Sequence, residues 1–104
     1  MLDRNYYVKI SDEAYKRMYL HFKFLARASV NAADRLYNAL DEALIFLEDN
    51  PKSCPVYNPK TPIDAELRFK MFYGRYRIIF EIIGDMVYGH DIQDCRQDVV
   101  NNLI

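Results

Sequence analysis

ELRFKMFYGRYR, residues 66–77, followed by IIFEIIGDMVYGHDIQDCR, residues 78–96, is the stretch that decides the fold. Leu67, Phe69 and Met71 alternate with Arg68, Lys70 and Phe72, the period of a half-buried strand. Gly74 marks a turn, and Tyr76, Ile78, Phe80 and Ile82 then alternate with Arg77, Ile79, Glu81 and Ile83. Gly84-Asp85 supplies hairpin chemistry before a third strand begins at Met86, so a three-strand antiparallel meander is expected. The same alternation sets Arg68 and Lys70 opposite Leu67, Phe69 and Met71, and turns Arg77 and Glu81 outward from the Tyr76, Ile78, Phe80, Ile82 face. Three cations are therefore expected on one open sheet surface, with Arg96 just past the last strand. His90 falls in register with Met86, Tyr88 and Ile92, which predicts partial burial. Arg75 reads as a turn residue.

Upstream, Tyr6 to Ile10 has the aromatic and β-branched content of a short strand. Ser11 then offers a helix N-cap, with Asp12 and Glu13 in the first turn, where carboxylates favour the positive end of the helix dipole. Ala14, Met18, Phe22 and Leu25 form one apolar stripe. Asn31 is the expected cap of a second helix, whose stripe is Ala33, Leu36, Leu40, Ala43, Leu44 and Leu47, and Asn50-Pro51 is its stop. All four prolines lie between Pro51 and Pro62, which predicts an irregular connector. The expected architecture is α+β, in the order β-α-α-β-β-β, with the helix hairpin on one face of a small, mainly antiparallel twisted sheet.

The length of 104 residues fits a single domain over residues 1–104, and 51% apolar residues suffice for a core without disulfide or metal. Fourteen Lys and Arg against fifteen Asp and Glu give a net charge of −1, which argues against a surface that is positive all over. The basic charge is local: residues 66–77 hold Arg68, Lys70, Arg75 and Arg77 against Glu66 alone. Cys54 and Cys95 have no metal-ligand spacing and read as reduced thiols. No signal peptide is recognisable and the longest apolar run, Ile78 to Ile83, is broken by Glu81, so a cytoplasmic protein with no membrane contact, no metal and no cofactor is expected.

The order strand, helix hairpin, proline-containing loop, "LR", "YRIIFEI" and "DIQDCRQD" resembles the RelE/ParE toxin superfamily over nearly the whole chain. The resemblance implies the toxin of a bacterial type II toxin-antitoxin system with a cognate antitoxin as partner, as a homodimer or a toxin-antitoxin hetero-oligomer. In the RelE branch it implies a ribosome-dependent mRNA endoribonuclease, the reading placed first, with ribosome and mRNA as partners. The alternatives are a non-nucleolytic ParE-like inhibitor of DNA gyrase and an inactive toxin fold that only binds an antitoxin.

Cleavage through the ribose 2′-hydroxyl needs a base, stabilisation of phosphate charge and protonation of the leaving oxygen. Arg77 matches the superfamily's arginine after the turn and is the first choice for transition-state stabilisation, since a guanidinium suits phosphate geometry. Arg68 and Lys70 match a basic pair on the preceding strand, and Arg96 in "DCRQD" matches the arginine of the C-terminal segment. The chain departs from the RelE-like pattern at Val99, Val100, Asn101 and Asn102, where a tyrosine or histidine-tyrosine pair often stands. His90, Glu81 and Tyr73 are the candidate acids and bases in its place, with Tyr88 and Glu66 as further choices.

Overall fold

The computed structural model describes residues 5–58 and 64–96; Pro59, Pro62 and the Val99 to Asn102 stretch lie outside them. Strand β1 (Tyr7–Ile10) leads into helices α1 (Asp12–Ala28) and α2 (Val30–Asp49), followed by a 3-10 turn at Pro51–Ser53. Strands β2 (Val56–Tyr57), β3 (Leu67–Phe72), β4 (Tyr76–Ile83) and β5 (Met86–Asp94) complete an α+β fold. The five strands lie in the order β1-β5-β4-β3-β2, antiparallel except for β1, which runs parallel to β5. The proline-rich connector is thus more regular than expected, because Val56 and Tyr57 pair with Arg68 and Leu67 and add an edge strand.

Ser11 caps α1 by accepting the Ala14 N–H at 3.1 Å, and its own hydroxyl donates to the His90 carbonyl at 3.2 Å, tying the helix start to β5. The second cap is Ser29, not Asn31: its hydroxyl accepts the Ala32 N–H at 3.1 Å while its N–H closes α1 on the Leu25 carbonyl. The helix hairpin therefore turns on a single residue. Leu36, Leu40, Ala43 and Leu47 of α2 join Ala14 and Met18 of α1 in one buried cluster with Phe72, Tyr76, Ile78, Phe80, Val87 and Ile92 of the sheet. The helices cover that face.

Strand β3 presents its faces the other way round from the sequence expectation. Phe72 pairs with Tyr76, Lys70 with Ile78 and Arg68 with Phe80, so Arg68, Lys70 and Phe72 share the helix-covered face. Phe69 and Met71 pair with Ile79 and Arg77 on the opposite face, where Tyr57, Leu67 and Ile79 form a second small buried cluster against Phe69. The cause is the turn. Tyr73 and Gly74 both take positive φ, 57° and 62°, and the Arg75 N–H returns to the Phe72 carbonyl at 3.3 Å, which sets the register. Phe72 must then follow Tyr76 into the core.

A register shift lies between Ile79 and Phe80, which face Asp91 and Gly89 with His90 left over. This bulge reverses the alternation along β5. Ile92 joins the helix-side core, whereas His90 lies with Glu81 and Tyr88 on the other side, in spite of the even spacing between His90 and Ile92.

Candidate functional site

Three places collect the polar side chains, and the first is the open sheet face. Arg77 donates from Nε to Gln93 Oε1 at 2.8 Å, and its guanidinium carbon lies 4.8 Å from the Tyr57 ring centre and 5.9 Å from that of Phe69. One hydrogen bond and two aromatic rings hold the cation in place. Glu81, four residues on along the same strand, meets His90 Nε2 at 2.9 Å, and the Tyr88 ring stands edge-on to His90 at 4.8 Å. Arg77, Glu81 and His90 thus share a face. Cys95 sits at its end, its thiol 3.8 Å from Met71 Sδ, and burial pushes that thiol's pKa up, with Arg77 opposing.

The second place is the edge where β3 meets the connector under the helices. Arg68 donates to the Cys54 carbonyl at 2.7 Å and the Lys52 carbonyl at 3.3 Å, and meets Glu66 at 3.2 Å. Lys70 Nζ lies 4.2 Å from the centre of the Phe46 ring of α2. Arg68 fastens the connector to the sheet, and Lys70 covers a helix side chain. Neither shares a face with Arg77.

The third place is a cleft of about 530 Å³ on the helix side. Arg17, Leu20, His21 and Phe24 reach it from α1, since spacings of three and four put them on one helical face. Arg75 enters from the β3–β4 turn, and Asp94 and Arg96 from the end of β5. Arg75 grips Asp94 in a fork, Nε at 3.1 Å from both carboxylate oxygens and a terminal nitrogen at 2.8 Å from Oδ2. Asp94 Oδ1 also accepts the Arg96 N–H at 2.9 Å. Burial raises the Asp94 pKa, but the hydrogen bonds and charge of Arg75 and the Arg96 N–H outweigh it and leave the carboxyl below its usual range. Arg17 Nε lies 3.3 Å from the buried carboxylate of Asp91.

His21 completes the cleft wall. Its Nε2 lies 3.4 Å from the Ile92 carbonyl, where the Nε2–H tautomer donates, and its ring centre is 5.0 Å from that of Tyr76. Burial lowers its pKa, so the neutral imidazole is favoured. Behind it the Tyr76 hydroxyl is buried with no hydrogen-bond partner among the described residues, and burial raises its pKa. Tyr73 stacks near Tyr76 at 6.4 Å from its turn position.

The sequence candidates therefore divide: Arg77, Glu81 and His90 on the open face, Arg68 and Lys70 on the opposite one, Tyr73 in the turn and Arg96 at the cleft. Sequence reasoning passed over Arg75, Asp94, Arg17 and His21. A signal was present, because Arg17, His21 and Phe24 make a second stripe beside the apolar one, but nothing in the alternation of β4 and β5 announced the pairing of Arg75 with Asp94. Among the described residues no group of His, Cys, Asp or Glu side chains is placed to hold a metal ion, and no helix is long and apolar enough to cross a membrane.

The model of the family described as "ParE toxin of type II toxin-antitoxin system, parDE" matches residues 8–98. No curated protein matches the chain. The matched span runs from β1 past the end of β5 and so takes in all three places, and the family's setting implies an antitoxin partner. The chain belongs to the ParE toxins of type II toxin-antitoxin systems, a branch of the superfamily that its strand motifs resemble.

Proposed function

We propose that this toxin acts by binding, as a non-nucleolytic inhibitor of DNA gyrase, with the open sheet face around Arg77 as the contact surface. The observation that carries this reading is the dispersal of the cations. Phosphoryl transfer needs charge-stabilising and proton-transferring groups converging on one phosphate. Arg68 and Lys70 lie on the far side of the sheet from Arg77, and Arg68 is committed to two backbone carbonyls. Arg77 is held by Gln93, Tyr57 and Phe69 as a fixed cation on a partly apolar surface, an arrangement suited to recognition of a protein surface.

One observation favours the endoribonuclease reading: Glu81 and His90 form a hydrogen-bonded pair on the same face as Arg77. The two readings predict different results. Purified toxin should inhibit DNA supercoiling by gyrase while mRNA ends in arrested cells stay at their normal positions. Arg77→Ala should weaken that inhibition about tenfold or more while the far-ultraviolet spectrum and melting temperature stay near wild type. New codon-positioned mRNA ends, lost in Arg77→Ala, with supercoiling intact, would replace this proposal with the nuclease.

A further inference from the structure

The helix-side cleft plays no part in the reading above, yet it gathers five charged side chains. Its three guanidinium groups, Arg17, Arg75 and Arg96, face two carboxylates, Asp91 and Asp94. Among the described residues one cation is in excess. Arg75 is taken up by Asp94 in the fork, and Arg17 has its Nε on Asp91 while its terminal nitrogens have no hydrogen-bond partner among the described residues. The Arg96 guanidinium also has none there, although its backbone N–H is anchored on Asp94. His21 adds no charge, because its neutral form is favoured. Beside these groups stand Leu20 and Phe24, 62% and 66% exposed, apolar surface set directly against the guanidinium groups of the cleft.

We infer that this cleft is the docking site for an acidic segment of the cognate antitoxin, taking one carboxylate between Arg96 and Arg17 and an adjacent bulky apolar side chain against Leu20 and Phe24. The charge balance selects the ligand class. A single excess cation matches a single carboxylate, and a guanidinium receives it through paired N–H donors. A nucleic-acid strand fits poorly, since Asp94 in the wall would repel a run of phosphates and the chain as a whole carries −1. The apolar rim fits a peptide, which brings hydrophobic and charged groups together within a few residues. The fixed geometry adds selectivity: Asp94 holds both Arg75 and the backbone of Arg96, so the cleft is built before the partner arrives.

The docking inference rests on family membership, which implies the antitoxin, and not on whether gyrase is the target. Its test uses the full-length toxin and the antitoxin encoded beside it, purified as a pair. Arg96→Glu and Phe24→Glu alter exposed positions outside the core, and each should weaken antitoxin binding on the order of 30-fold, whereas Phe24→Lys should weaken it far less. Replacing one antitoxin Glu or Asp by Lys should restore binding to Arg96→Glu, and that rescue identifies the docked carboxylate. Cells carrying Phe24→Glu should still arrest growth, now with the antitoxin present. Unchanged antitoxin affinity in both charge-reversal variants would overturn the inference. So would loss of toxicity with antitoxin binding intact, which assigns the cleft to the target instead. Failure of the gyrase reading would appear in the supercoiling assay alone and leave these affinities unaffected.

Discussion

Arg75 is the residue whose role differs most from its position in the sequence. Two positions before the outward Arg77, in a turn next to glycine, it reads as solvated charge, and a solvated charge contributes little. The chain geometry makes it a partner of Asp94, because the β3–β4 turn and the end of β5 meet where Tyr76 pairs with Asp94. The Asp94 side chain is 3% exposed and that of Arg75 19%, so the fork is shielded from water on most sides. Taking the guanidinium away leaves a buried carboxylate short of its main counter-charge, and Arg75→Ala should cost about 3 kcal/mol in urea unfolding. Arg75→Lys should recover only part of that, because an ammonium cannot supply the fork. If Arg75→Ala unfolds at the wild-type urea midpoint, the pair is held open in solution. Tyr73 is a second surprise at this scale, a non-glycine residue at φ 57°, whose ring is retained against Tyr76 in spite of the backbone cost.

The elements were legible in the sequence, but the facing of one of them was not. Strand β4 shows its inner face plainly, since Tyr76, Ile78 and Phe80 outclass Arg77 and Glu81, and the helix stripes and the Ser11 cap were equally clear. Strand β3 is ambiguous by pattern alone: Leu67, Phe69 and Met71 outnumber Phe72, and only the register across the turn decides. Phe72 is 5% exposed and Met71 39%. Phe72→Ala should therefore destabilise by about 3 to 5 kcal/mol and Met71→Ala by well under 1, the reverse of what the alternation suggested. The bulge at His90 was hidden for a different reason, because no residue type requires one. Its neighbour Gly89 offers a test of how closely β1 and β5 approach. A Cβ there would come within 2.6 Å of Ile10 Cδ1, so Gly89→Ala should cost about 1 to 3 kcal/mol. Adding Ile10→Val removes the opposing methyl, and the double variant should be more stable than the sum of the two single effects; simple additivity would place the strain elsewhere.

At the scale of the whole molecule, burial of ionisable groups shapes stability against pH from both sides. His21 has a lowered pKa through burial, so below about pH 6.5 the unfolded chain takes up a proton that the native state refuses, and stability falls with pH until the native imidazole also titrates. Asp94 acts further down. Its native pKa lies below the unfolded value of about 3.9, so its contribution is complete above that value and is lost as pH falls through the native one. On the alkaline side burial raises the pKa of Cys54, Cys95 and Tyr76, so the unfolded chain loses protons first, the thiols from about pH 8.5 and the phenol from about pH 10, and stability falls again. A plateau is expected between about pH 6.5 and 8.5. Urea midpoints measured across this range should show a first decline just below the plateau that is flattened in His21→Gln, while the steeper loss near pH 4 persists. A His21→Gln profile that keeps the first decline would mean that the imidazole is solvated, and the cleft wall would then be open to water at the place where His21 meets the Ile92 carbonyl.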